Sequence, residues 1–244
     1  MFDPFKDFDR AGYLRNLYGE KDPQIVRELE HTLFRTGLDE ALAHVAKRRT
    51  LGYSDFLAVH RILFSAFYPW AGQDRAATVP NIAVSKGNTV FAHPLDARRA
   101  VEEGLRIGQD KAALRQHPGE VMGWFAFGHP FLDGNGRTML IIHSELCHRA
   151  GFCIEWQRTR KTEYLAALSA EIASPGQGLL DGYLLSFVGA ARERQLWGGA
   201  IDGIRGLDGR SIEDAVDGEY TDVRVMQKYQ AFEMSRAMSK ADRR

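Results

Sequence analysis

EVMGWFAFGHPFLDGNGRTMLIIHSELCHRAG, residues 120–151, is the stretch from which the architecture is read. It holds two apolar segments, 120–128 and 138–151, separated by the polar, glycine-bearing stretch 129–137. The first is nearly all apolar, as expected of a helix buried on most sides at the centre of a domain, and far too short to span a membrane. Residues 129–137 therefore form a loop between two central helices.

That loop carries the chemistry. Glycine at 134 and 136 lets the backbone approach an anion closely, and the start of the following helix adds oriented N–H groups and the positive end of its dipole. Asp133 is a hard carboxylate beside this cradle, suited to Mg²⁺. Arg137 supplies a planar donor fork for a phosphate. His129, with an unperturbed pKa of roughly 6.5, can take a proton from an attacking hydroxyl near neutrality. Pro130 and Phe131 fix where the imidazole points, Phe131 as a hydrophobic plug. Taken singly, each residue has a plainer reading, since Asp-Gly-Asn-Gly is also a turn sequence. Taken together, they supply every role that phosphate-linked group transfer needs.

Upstream, Val26, Leu29, Leu33, Phe34, Leu38, Leu42 and Val45 recur at helical spacing over 23–48, with Gly37 a point of interruption. Ser54 reads as the N-cap of a second helix with Phe56, Leu57, His60, Leu63, Phe64 and Phe67 as its buried stripe, His60 among them as a core histidine. Over 78–94 the pattern changes to short β-type runs, TVPNIAV and TVFAHP, joined by Ser85-Lys86-Gly87-Asn88. This hairpin is the one convincing strand signal, and it reads as a flap laid on a helical body. Further helices are expected over 95–114, 161–172 and 179–194. After Trp197 comes the glycine-rich GGAIDGIRGLDGR, then an amphipathic helix over 221–241. The expected organisation is a catalytic domain over 1–197 and a linker with a charged helical extension over 198–244. The fold class is all-α, mainly helical, with a β-hairpin flap beside the active-site loop.

Composition narrows the function classes. Lys plus Arg (32) equals Asp plus Glu (32), so no global charge draws the chain to nucleic acid or an anionic membrane. No apolar run approaches a membrane span, and the start, MFDPFKDFDR, lacks the pattern of a secretory signal, which gives a cytoplasmic expectation. Cys147 and Cys153 read as buried reduced thiols. His143 and Cys147 share a helix face, but with no HExxH or CxxC beside them they read as packing rather than metal ligands. The basic end, SRAMSKADRR, is a solvated tail or a secretion or docking signal.

HPFLDGNGR resembles the signature of Fic-domain proteins, HPFx(D/E)GNGRxxR, unbroken through Arg137. YPWAGQDR at 68–75, VSKGNTVFAHP at 84–94 and YLRNLYG at 13–19 are similar to the segments that precede the motif in that family. The resemblance covers about residues 10–195.

It implies a helical fold with a flap, and transfer of AMP from ATP to a Ser, Thr or Tyr hydroxyl of a target protein. In that scheme His129 deprotonates the hydroxyl and Asp133 holds Mg²⁺. Gly134, Asn135 and Gly136 bind the α- and β-phosphates, and Arg137 grips the β-phosphate. The target segment pairs as an added strand with the flap edge, Val84, Ser85, Lys86, Gly87, Asn88, Thr89, Val90 and Phe91, while Lys86 and Asn88 cover nucleotide and target. Trp156 and Tyr164 fall where the family builds its base pocket, with stacking on a nucleobase and core packing both open.

Leu140 stands where the family has a second arginine, which leaves another donor (UMP or phosphocholine transfer) or an interaction module as alternatives. No (S/T)xxxE(G/N) inhibitory helix is present, since Glu103-Gly104 has Arg99 at the Ser/Thr position. The resemblance then implies either a separate small antitoxin-like inhibitor or an unrestrained effector delivered to a host cell.

Overall fold

A computed structural model describes residues 8, 12–87, 89–202, 204 and 214–241. At its centre is the apolar helix Pro118–Gly128, with Val121, Met122 and Phe125 all but fully buried. Numbered along the chain, the elements leading to it are α1 (Pro23–Ala46), α2 (Tyr53–Phe64), the short α3 (Arg75–Thr78), β1 (Ile82–Lys86), β2 (Thr89–Val90), α4 (Pro94–Gln109) and α5 (Lys111–Gln116), so the central helix is α6. After it come α7 (Asn135–Arg149), β3 (Phe152–Ile154), α8 (Lys161–Ala173), α9 (Leu179–Leu184), β4 (Val188–Ala190), α10 (Trp197–Asp202), β5 (Asp214–Glu219) and α11 (Val223–Ala241). Helices α4, α7, α8 and α9 surround α6, and α1 and α2 pack together against α7. Such encirclement is what a helix without a polar face requires. The result is the mainly helical body expected, with the hairpin β1–β2 lying against it.

Several local expectations are corrected. α1 runs unbroken through Gly37, whose missing side chain is explained by packing: a Cβ there would lie 2.6 Å from the carbonyl oxygen of Ile62 on α2. α2 begins at Tyr53, with Gly52 rather than Ser54 as N-cap and the Asp55 carboxylate accepting the Gly52 N–H at 2.9 Å. The 95–114 helix breaks at Asp110, which caps α5 with bonds to the N–H groups of Ala112 and Ala113. The helix expected over 179–194 stops early, because Val188–Ala190 pairs antiparallel with Phe152–Ile154. Residues 198–202, expected as linker, are helical as part of Trp197–Asp202.

The hairpin is not the only β-structure. β5 adds to it, giving an antiparallel sheet of order β2-β1-β5, with Ser85 opposite Val90 on one side of β1 and Ile82 opposite Glu219 on the other. α11 covers this sheet, and Ala83, Val90, Val225 and Tyr229 form a second small core between them. No helix among the described residues is long and apolar enough to cross a membrane.

Candidate active site

The loop between α6 and α7 starts with a strained residue. His129 caps α6 in the left-handed region at φ 40°, the one non-glycine residue with positive φ among those described. Glycine is the usual occupant of such a position, and a side chain there costs about 1–2 kcal/mol. The surrounding structure holds it. Arg75 Nε donates to the His129 carbonyl at 2.7 Å, the Arg75 backbone N–H donates to the Pro130 carbonyl at 2.7 Å, and Phe91 of the flap stacks on the imidazole with ring centroids 3.7 Å apart and planes within 9°. Burial, reinforced by the positive charges of Arg75 and Lys86, holds the imidazole pKa well below its ordinary value. It is therefore neutral at physiological pH, as a base must be.

Phe131 is fully buried and stacks on His60 at 3.7 Å, which makes it the expected plug. His60 is a core histidine: its Nδ1 accepts the Gly72 N–H at 2.8 Å, its Nε2 lies 3.0 Å from the Asp133 carbonyl oxygen, and burial pushes its pKa down to about 3. The Asn135 side chain staples the loop to itself. Its Oδ1 accepts from the Phe131 N–H at 2.9 Å and its Nδ2 donates to the Phe131 carbonyl at 2.8 Å. What Asn135 can offer an anion is accordingly its backbone N–H, in the first turn of α7 where such groups have no intrahelical acceptor.

The two glycines serve different ends. Gly134 lies at φ 77°, and a Cβ on it would come within 2.4 Å of the Phe64 ring, whereas one on Gly136 would meet nothing within 4 Å. Gly134→Ala is expected to lower stability by about 2 kcal/mol or more, from left-handed strain plus the clash. Gly136→Ala should melt within a degree or two of wild type, and a thermal denaturation series compares them directly.

Asp133 is the half-exposed carboxylate of the loop. Its Oδ2 accepts from the Tyr68 hydroxyl at 3.2 Å and its Oδ1 from the Gly134 N–H at 2.5 Å. One carboxylate facing a cleft suits Mg²⁺, which takes one or two carboxylates and completes its shell with water and substrate phosphates. No cluster of three or more His, Cys, Asp or Glu residues able to hold a metal alone exists among the described residues.

Arg137 is placed differently from a bare phosphate fork. Both its terminal nitrogens engage the Glu30 carboxylate of α1, Nη1 at 2.5 Å, and its guanidinium lies over the Phe64 ring at 4.6 Å. Burial works to lower the Arg137 pKa, and the Glu30 and Asp133 carboxylates more than offset it, so the cation persists. Glu30 escaped the sequence reading, although its position was legible: it sits on the buried stripe of α1 with Val26 and Phe34. Arg75 and Tyr68, both within YPWAGQDR, brace His129 and Asp133.

A cleft of about 1450 Å³ joins these groups; His129, Asp133 and Arg137 line it from below and Val84, Lys86, Gly87, Thr89 and Phe91 from the flap. Ser85 and Val90 point to the flap's other face, as the two-residue period of a strand requires, and Asn88 lies outside the described residues. Trp156 and Tyr164 line the far end of the cleft, edge to face at 5.5 Å, and Leu140 is buried in its wall. Arg27, Arg160 and Lys161 stand around it.

Residues 50–147 match the Fic/DOC family. The chain is 29% identical over 174 residues to the protein adenylyltransferase VbhT of Bartonella schoenbuchensis, an alignment covering 68% of this chain and 35% of that protein. It is 28% identical to the probable protein adenylyltransferase y4lH of Sinorhizobium fredii, over 64% of this chain and 81% of that one. The chain thus spans about a third of the first relative and most of the second. Among solved structures, BepC of Bartonella tribocorum with bound AMPPNP superposes with a TM-score of 0.60 at 18% identity, covering 73% of this chain and 93% of that one, which shows a common fold.

Proposed function

We propose that this protein transfers AMP from ATP to a Ser, Thr or Tyr hydroxyl of a target protein. The observation that carries the reading is His129: a neutral imidazole, held at a strained backbone position on the wall of a cleft that also contains the first turn of α7. The printed names of the two relatives, both adenylyltransferases, point the same way.

In the reaction, the target hydroxyl gives its proton to the His129 imidazole as its oxygen bonds to the α-phosphorus, and the bond from that phosphorus to the bridging oxygen breaks, releasing pyrophosphate. The backbone N–H groups of Asn135 and Gly136, at the positive end of the α7 dipole, offer donors to the phosphates, and the open space beside Gly136 admits them closely. Gly134 shapes the turn, and Arg137, paired with Glu30, keeps its guanidinium on the wall of the cleft. Asp133 would hold Mg²⁺, which neutralises charge on the leaving pyrophosphate. Trp156 and Tyr164 offer the base an aromatic wall. The flap aligns the target's main chain.

Residues 1–197 are read as the catalytic region and 198–244 as an extension to it. The regulator is read as a separate antitoxin-like protein, or the chain as an unrestrained effector acting in a host cytoplasm.

Leu140 favours one second reading. A leucine cannot supply the charge-assisted bond that an arginine gives a terminal phosphate, worth about 1.5–3 kcal/mol, so transfer of a different phosphate-linked group, UMP or phosphocholine, is the competing reaction. Incubation with Mg²⁺ and ATP, GTP, CTP, UTP or CDP-choline in turn, followed by intact-mass measurement, decides between them. Addition of an AMP mass with ATP alone is expected. Addition from another donor alone supports the second reading, and no addition or nucleotide turnover with any donor rejects both.

A further inference from the structure

A hairpin of this size is marginal on its own in water, and the flap is not on its own. β5 pairs along the whole of β1, from Ile82 opposite Glu219 to Lys86 opposite Asp214, with an irregularity between Ala83 and Val84. At that irregularity Asp217 accepts from the Ser85 hydroxyl at 2.8 Å and from the Lys228 ammonium at 2.9 Å to each oxygen, and Lys228 also reaches the Ser85 hydroxyl oxygen at 3.1 Å. Tyr229 donates its hydroxyl to the Val84 carbonyl at 3.1 Å. Helix α11, which carries both residues, is fastened to the helical body further on. There the Arg236 guanidinium contacts the Ile172 carbonyl of α8 and lies 3.5 Å over the Phe127 ring of α6. A continuous set of contacts thus runs from the flap through β5 and α11 to the helix that ends in His129.

We infer that residues 214–236 set the height of the flap above His129, with Asp217, Lys228 and Tyr229 as positioning residues for the transfer step. The inference rests on the proposed transfer reading. Phe91, next after β2, donates to the Val84 carbonyl and lays its ring on the imidazole. A shift of the flap therefore moves what covers the base, and a misplacement of about 1 Å can cost up to about 100-fold.

The test uses the full chain with Mg²⁺, ATP and a valine-rich hexapeptide bearing a single threonine as acceptor. Two products are followed: AMP joined to the peptide and AMP released to water. Lys228→Ala should lower the ratio of transfer to release about tenfold, because water needs no flap, and should accelerate amide exchange over residues 82–90. Lys228→Arg should restore most of the ratio. Tyr229→Phe, which removes the hydroxyl's bonds to Val84 and Tyr220 and leaves the ring in place, is the milder second variant and should move the ratio the same way by less.

An unchanged ratio overturns the inference whether or not exchange accelerates, and so does an equal fall in both products, which would mark a generally weakened fold. Wild-type protein that releases AMP but never modifies the peptide overturns the inference, because the flap then presents no acceptor to His129. Wild-type protein that yields neither product refutes instead the transfer reading beneath it.

Discussion

His129→Ala is expected to reduce AMP transfer by about 100- to 10,000-fold, the range a positioned general base contributes, while nucleotide affinity stays within a few-fold of wild type. Alanine keeps a Cβ at φ 40°, so the loop gains no relief from the exchange and the loss isolates the imidazole. The pH profile gives an independent check. Burial and the charges of Arg75 and Lys86 hold the folded imidazole pKa well below its ordinary 6.5. A base works in its neutral form, so its activity is lost only as pH falls through the folded pKa. Transfer should therefore stay level from pH 8 down to about 6.5. An acid limb already falling at neutrality, or a variant with wild-type rates, would rule His129 out as the base.

Arg137→Ala is expected to be the most destabilising single change at the site. It leaves the Glu30 carboxylate, 3% exposed, buried without its cation, and breaking one side of a buried pair costs about 3–5 kcal/mol. Replacing both partners together, Glu30→Leu with Arg137→Met, removes the uncompensated charge and should recover most of that loss in urea denaturation at neutral pH. The double variant should nonetheless remain deficient in nucleotide binding. If it binds nucleotide as wild type does, Arg137 serves only the fold.

The sequence was readable where chemistry and neighbourhood coincide. Residues 120–151 announce a loop between two buried helices, and the loop's own composition offers a candidate base in His129, a carboxylate in Asp133 and a glycine turn at Gly134. What it concealed depends on partners far along the chain. Arg137 meets Glu30 across 107 positions, and no local pattern tells whether an arginine fork will face a ligand or a carboxylate. β5 has the sequence DAVDGE, poor in strand-forming residues, and becomes a strand because β1 offers it an edge. Residues 188–190 look like the continuation of a helix, and pairing with Phe152–Ile154 overrides that local preference. Gly37 reads as a breaker in one dimension and as a contact point between two helices in three.

The guanidinium of Arg75 touches two things at once: the carbonyl of His129 and, at 2.7 Å through Nη2, the carbonyl of Ala92, where the chain leaves the flap. One rivet therefore passes through both the anvil and the hinge of the hammer. On the proposed transfer reading, a target docked on the hairpin would bear through Arg75 on the backbone that carries the imidazole.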